Sequence, residues 1–252
     1  MRIVVTNDDG IESLGLRVLA SSMIPLGDVY VVAPKTPQSA GSHATTLHKP
    51  LRIEEYLLNI GEKYSVRVSG TPADCVLLAK DEIVEDGIDI VVSGMNSGPN
   101  LGYDVIYSGT VAGAREGAIN EILSFAFSVD SIQNPDFTYA GEFATAFIRS
   151  VLDKKLKGRI YFNVNFPNLP KSDIKGYKFV RQGRREYINR IFKGSDPFER
   201  TYYWIGGKLK EDYEEDTDAG AVRDGYVSIT PMTLDFTDYN LLRHLSDIKI
   251  DL

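Results

Sequence analysis

The chain has 252 residues, 43% of them hydrophobic, which suits a sizeable core and argues against disorder. Its 28 basic and 35 acidic side chains leave a formal net charge of −7, which argues against wrapping a nucleic-acid polymer while leaving room for a small phosphorylated ligand. No apolar run approaches the ~20 residues that span a bilayer, Met1-Arg2 leads straight into a predicted strand with no space for a signal peptide, and the lone Cys75 excludes an intramolecular disulfide. The expected setting is the cytoplasm.

Ile3-Val4-Val5 is an unbroken β-branched run, the pattern of a strand buried on both faces. It ends in the turn-forming Asn7-Asp8-Asp9-Gly10, and Ile11 to Met23 follows with helical spacing. In a parallel α/β sheet, ligands collect outside the carboxyl ends of strands, so Asp8 and Asp9 arrive at a functional edge. Adjacent carboxylates repel; they are comfortable when solvated or when a cation sits between them. A polar turn capping the next helix is the plainer alternative for the pair taken alone.

Asp28 to Pro34 predicts a second buried strand, followed by the small, polar loop from Lys35 to His43. Ser39 offers a hydroxyl there, or is simply solvated. Tyr64 to Val68 alternates as a strand, and Gly70-Thr71-Pro72-Ala73-Asp74 reads as a helix start with Thr71 as N-cap and Pro72 at the first helical position. Ile88 to Val92 is the next strand, running into a glycine-rich loop from Ser93 to Gly102 that contains Asn96. Tyr107-Ser108-Gly109-Thr110 then opens a helix of small residues. Free amides and two hydroxyls at a helix N-terminus suit an anion, although a capped helix packed tightly on the sheet gives the same pattern.

Ser124 to Val129 predicts a strand, Thr138 to Leu156 a helix, and Arg159 to Phe166 another strand closed by Pro167. Alternation up to about residue 167 argues for a doubly wound, mostly parallel sheet. The stretch 176–215 changes character, with Arg181, Arg184, Arg185 and Arg190, then Glu211, Asp212, Glu214 and Glu215, among aromatics including Tyr202, Tyr203 and Trp204. It predicts hairpins carrying an interaction surface. Gly225 to Pro231 is a late strand, and Thr237 to Ser246 a short closing helix with Leu241, Leu242 and Leu245 on one face. With no repeat or clean linker, 1–252 reads as one α/β domain: core about 1–170 plus strand 225–231, arm about 176–215, closing helix about 237–246.

Asp8, Asp9, Ser39 and Asn96 come from three strand-to-loop junctions and offer only oxygen, which suits Mg²⁺ or Mn²⁺ better than zinc. A hard cation beside the anion cradle at Ser108, Gly109 and Thr110 is a layout for phosphate-ester hydrolysis. His43 lies in the site loop, within reach of a substrate, while His48 and His244 read as structural or surface residues. Enzymes that form an aspartyl-phosphate from an Asp-x-Asp strand end need alternate rather than adjacent carboxylates. A non-enzymatic metal- or nucleotide-binding regulator is the other rival; receiver-type domains carry a phosphorylatable Asp at a later strand end, where this chain has Ser93-Gly94.

Val5 to Gly10, Gly70 to Cys75, Ser93 to Asn100, Tyr107 to Ala114 and Val227 to Pro231, in that order, resemble the SurE family. The resemblance implies a Rossmann-like sheet with a protruding β-hairpin arm and a C-terminal element exchanged between subunits of a homodimer or homotetramer. It implies a metal-dependent nucleotidase acting on nucleoside 5′- and 3′-monophosphates, a family in which some members also trim short polyphosphate. One divalent Mg²⁺ or Mn²⁺ per subunit would be held by Asp8, Asp9, Ser39 and Asn96. Asp8, Asp9 and Asn96 would carry catalysis, and Asn96, Ser108, Gly109 and Thr110 would hold phosphate. Family members often have glycine after the serine, where this chain has Ala40.

Overall fold

The computed structural model describes residues 1–210, 214–245 and 248. Glu211 and Asp212 of the predicted arm and Ser246 of the predicted closing helix lie outside the described residues. The first half of the chain runs β1 (Arg2–Thr6), α1 (Leu14–Met23), β2 (Asp28–Pro34), β3 (Ile53–Glu55), β4 (Tyr64–Val68), α2 (Pro72–Leu78), β5 (Ile90–Ser97), α3 (Gly109–Ile119) and β6 (Leu123–Asp130). The second half runs α4 (Thr138–Leu152), β7 (Tyr161–Pro167), β8 (Tyr177–Phe179), β9 (Tyr187–Ile188), β10 (Ile191–Ser195), β11 (Thr201–Ile205), β12 (Lys208–Leu209), α5 (Asp218–Arg223), β13 (Val227–Met232) and α6 (Tyr239–His244).

Among the described residues the main sheet is ordered β3-β4-β2-β1-β5-β6-β7-β13-β8. The strands from β4 to β7 are mutually parallel. β13 pairs antiparallel with β7, and β3 antiparallel with β4, at the two ends of that block. β1 lies in the middle, its Val4 paired with Tyr30 on one side and Val91 on the other. Successive side chains of a strand point to opposite faces, so its β-branched run fills two cores. Ile3 and Val5 pack with Leu16, Leu19 and Phe147 of α1 and α4. Val4 packs with Cys75 and Val76 of α2. On that second face α3 lays Val111 and Ala114 against Ala126 and Tyr161. This is the doubly wound α/β sheet expected from the alternation. Among the described residues no helix is long and apolar enough to cross a membrane.

The structure differs from expectation at several boundaries. β5 continues through the glycine-rich stretch to Ser97, because after an irregularity beyond Ser93 the ladder resumes with Asn96 opposite Ser128 and Ser97 opposite Val129. Asn96 is therefore on a strand, not beyond one. Tyr177–Phe179, expected to open the arm, is an edge strand of the main sheet, parallel to β13. The projecting part is the β10–β11 hairpin, with β9 and β12 pairing antiparallel at its base. The short elements β3 and α5 were not anticipated, and α6 spans only Tyr239–His244.

Candidate active site

Connections leave β1 in opposite directions, β2 and β4 building one side of the sheet and β5, β6 and β7 the other. The crevice between the carboxyl ends of β1 and β5 is thus the switch point where ligands collect in open α/β sheets. Asp8 and Asp9 occupy the turn that leaves β1. Asn7 shapes this turn: its Nδ2 donates to the Gly10 carbonyl at 3.0 Å and to Ser13 Oγ at 2.7 Å. Ser13 in turn accepts from the Leu16 amide as N-cap, so α1 begins at Leu14 and not at Ile11.

Asp8 is 4% exposed, and its Oδ1 accepts from the Thr110 hydroxyl. Burial pushes its carboxyl up from 3.8 to about 6; the Thr110 hydrogen bond opposes this and the charge of Asp9 adds to it. Asp9 is half-buried, and burial raises it as well, opposed by the Ser97 amide, which donates to its Oδ2 at 3.1 Å. One carboxylate is therefore tied to α3 and the other to β5.

Ser108 is the N-cap of α3 and accepts from the Val111 amide at 3.0 Å. The amides of Gly109 and Thr110, the first two of the helix, have no intrahelical acceptor. The helix end sits directly on Asp8: a Cβ placed on Gly109 would lie 2.7 Å from Asp8 Cβ and 2.9 Å from its Oδ2. Gly109 is thus required for close approach. The result is a buried carboxylate against partly positive helix-end amides, of which that of Thr110 faces Asp8 itself.

Asn96 donates through Nδ2 to the Gly98 carbonyl at 2.7 Å, which leaves its Oδ1 without a protein donor among the described residues. Ser39 is exposed on a loop whose preceding residue, Gln38, donates its amide to the Asp8 carbonyl at 2.7 Å. Ala40 adopts φ 55°, a left-handed conformation that glycine takes more easily. His43, expected near substrate, points its Nε2 at Glu116 Oε2, 2.7 Å away.

The donor set fits a hard divalent cation: two carboxylates, one amide oxygen and one hydroxyl, without thiolate or imidazole. Among the described residues no group of three or more His, Cys, Asp or Glu side chains could hold a metal. The reading therefore rests on two carboxylates supplemented by neutral oxygens.

The family model described as "Survival protein SurE" matches residues 3–189. This chain belongs to the SurE family. Among similar SurE sequences, the "5′-nucleotidase SurE" of Moorella thermoacetica is 44% identical, covering 98% of this chain and 95% of that protein. The protein of the same name from Chlorobaculum tepidum is 45% identical over 96% of this chain and 92% of its own length. The crystal structure of the SurE protein from Aquifex aeolicus superposes with a TM-score of 0.86 at 41% identity, covering 97% of this chain and 98% of that one.

In this SurE chain several site-shaping residues escaped the sequence reading. Asn100 knits the loop after β5 to the sheet, donating from its backbone to Asn165 Oδ1 at 2.7 Å and from Nδ2 to Ser128 Oγ at 2.8 Å. Asp218 is fully buried and accepts from the amides of Gly102, Gly183 and Ala219. Burial raises its carboxyl, and those amides oppose the shift. Asp104 accepts from Arg185 Nη1 at 2.8 Å and the Tyr187 hydroxyl at 2.7 Å, fastening the base of the arm to the loop before Ser108. For Asp218 a signal was present: it follows Thr217, which caps α5, in the position where a carboxylate suits a helix start.

Proposed function

We propose that this chain is a metal-dependent phosphomonoesterase that hydrolyses nucleoside 5′- and 3′-monophosphates to nucleoside and phosphate, and also shortens small polyphosphates. The observation that carries this reading is the contact of Asp8 with the α3 N-terminus, which sets a hard-oxygen donor group beside an anion cradle. The similar proteins named 5′-nucleotidase support it. Asp8, Asp9, Ser39 and Asn96 would hold one Mg²⁺ or Mn²⁺, which when bound polarises a phosphoryl oxygen and acidifies water. The amide of Gly109 binds phosphate oxygens, and Ser108, whose Oγ accepts from Val111, still has its proton to donate to them. Thr110 gives its own hydroxyl proton to Asp8, and its backbone N–H faces the same carboxylate. Asn96 presents Oδ1 between the carboxylates and the phosphate. Asp9, the more accessible carboxylate, orients the attacking water and accepts its proton.

The active form on this reading is a cytoplasmic homodimer or homotetramer joined through the arm and the C-terminal segment. Phosphate release from a panel of nucleoside monophosphates, with EDTA and then with added Mg²⁺ or Mn²⁺, tests the activity. Release that EDTA abolishes and metal restores supports it; no release by folded protein with any metal overturns it.

A further inference from the structure

The loop that carries Ser39 is unusually wound. Ala40 and Ser42 both hold left-handed conformations, at φ 55° and 54°. Non-glycine residues keep such conformations only where their surroundings impose them. Before Ser39 the constraint is the Gln38 amide on the Asp8 carbonyl. After it, Ser42 donates its amide to the Tyr107 carbonyl at 2.9 Å and its hydroxyl to the Ile106 carbonyl at 2.7 Å. These contacts fasten the loop to the backbone just ahead of Ser108.

The next residue, His43, supplies the contact that depends on its side chain. Its Nε2 donates to Glu116 Oε2 at 2.7 Å, and the two side chains are only 18% and 9% exposed. Glu116 belongs to α3, the helix whose first turn forms the anion cradle and whose Thr110 holds Asp8. Its other oxygen, Oε1, is taken by Asn120 Nδ2 at the end of the same helix, at 2.9 Å. Among the described residues His43 is the donor that reaches this carboxylate from outside the helix and its cap. Without it, a nearly buried carboxylate oxygen loses its partner and the loop loses its side-chain tie to α3. Asp8 and Asp9 would stay in place, because Thr110 and Ser97 hold them independently.

We infer that His43 is a positioning residue that, through Glu116, sets Ser39 against the two aspartates. The inference rests on the metal site proposed above. His43 touches neither substrate nor cation in this role; it fixes the loop that brings the fourth oxygen. Three consequences follow from the coupling. Removal of His43 and removal of Glu116 should have the same effect on metal affinity. Glutamine at 43, which keeps an N–H donor of similar reach, should recover most of the loss. Removal of His43 should add little once Ser39 itself is gone.

The test is titration of intact, metal-free protein with Mn²⁺, following free Mn²⁺ by electron paramagnetic resonance, with the melting temperature of the metal-free protein as a folding control. H43A should weaken Mn²⁺ binding about tenfold, the lower end of losses seen when groups that orient metal ligands are removed. E116A should match it, H43Q should lie near wild type, and the H43A/S39A pair should bind no more weakly than S39A. Wild-type affinity in H43A, or losses that multiply in H43A/S39A, would overturn the inference. Should H43A not fold, H43N is measured instead; it keeps a donor on a shorter arm, and wild-type affinity there overturns the inference equally. Wild-type protein that binds Mn²⁺ but releases no phosphate would remove the nucleotidase reading and leave this inference standing. Mn²⁺ binding indifferent to residue 43 in an active enzyme would do the reverse.

Discussion

Asp8 is almost closed to solvent and bonded to Thr110, whereas Asp9 is half-buried and bonded to the Ser97 amide. The accessible one suits water activation. Asp9→Asn keeps size and one acceptor but removes the base, so turnover should fall about 10²- to 10⁴-fold with an unchanged melting temperature; near-normal turnover would remove Asp9 from that role. The buried one carries a pH signature. With its carboxyl raised to about 6, metal-free folded protein holds a proton that the unfolded chain has already released. Asp8 therefore lends stability below about pH 4, which is lost as pH rises through about 6 and amounts to about 3 kcal/mol. A divalent cation beside Asp8 reverses that order by favouring the ionised form. The rise in melting temperature on adding Mn²⁺ should accordingly be larger at about pH 7.5 than at about pH 5, where Asp8 must first lose its proton. An equal rise at both would count against Asp8 as a ligand. The turn that carries the aspartate pair after β1 and the helix start at Ser108-Gly109-Thr110 were legible because each is written in adjacent residues. Which aspartate is buried depends on α3, a hundred residues away, and no local pattern carries that.

Helix caps were read well where cap and helix are contiguous, as with Thr71 and Pro72 at the start of α2. The start of α1 was read too early because Asn7 reaches forward to Ser13 and holds the intervening residues in a turn. β5 was read too short because Gly94, at φ 131°, looks like a loop residue. Its glycine has a packing reason within the strand: a Cβ there would lie 2.3 Å from the Phe127 carbonyl oxygen. Asp74 lies in the first turn of α2, where a negative charge is favourable. In the structure it joins two elements, closing the capping box with Thr71 while accepting from the Thr46 amide at 2.9 Å and the Thr46 hydroxyl at 2.6 Å. Asp74 is 2% exposed, so Asp74→Ala would strand the Thr46 and Thr71 donors. It should cost about 2–3 kcal/mol, seen as a lower urea midpoint at unchanged slope. A loss below about 0.5 kcal/mol, the size of an ordinary surface change, would mean water replaces these bonds without penalty.

At the scale of the molecule, the alternation of strands and helices foretold the sheet, because each buried strand must be covered on both faces. It could not foretell that the chain re-enters the sheet at Tyr177–Phe179 before projecting, since a three-residue strand has no periodicity to read. The projection itself raises a physical problem. A two-stranded hairpin is marginal in water without something to pack on. Yet Phe192, Tyr202, Tyr203, Trp204 and Ile205 of β10 and β11 are all exposed, Trp204 at 69% and Ile205 at 86%. The apolar side of α6, with Leu241, Leu242 and Leu245, is exposed too. A monomer seldom leaves so many large apolar side chains to water, and a second copy of the same chain would be one way to cover them in a symmetric step. The paired substitution Trp204→Glu with Ile205→Lys keeps the β10–β11 backbone ladder while making that cover unfavourable. Light scattering after size exclusion should then show the mass falling from a dimer or tetramer to a monomer, with circular dichroism of the core unchanged. A wild-type monomer, or a variant mass equal to that of the wild type, would show that the hairpin is not what joins the subunits.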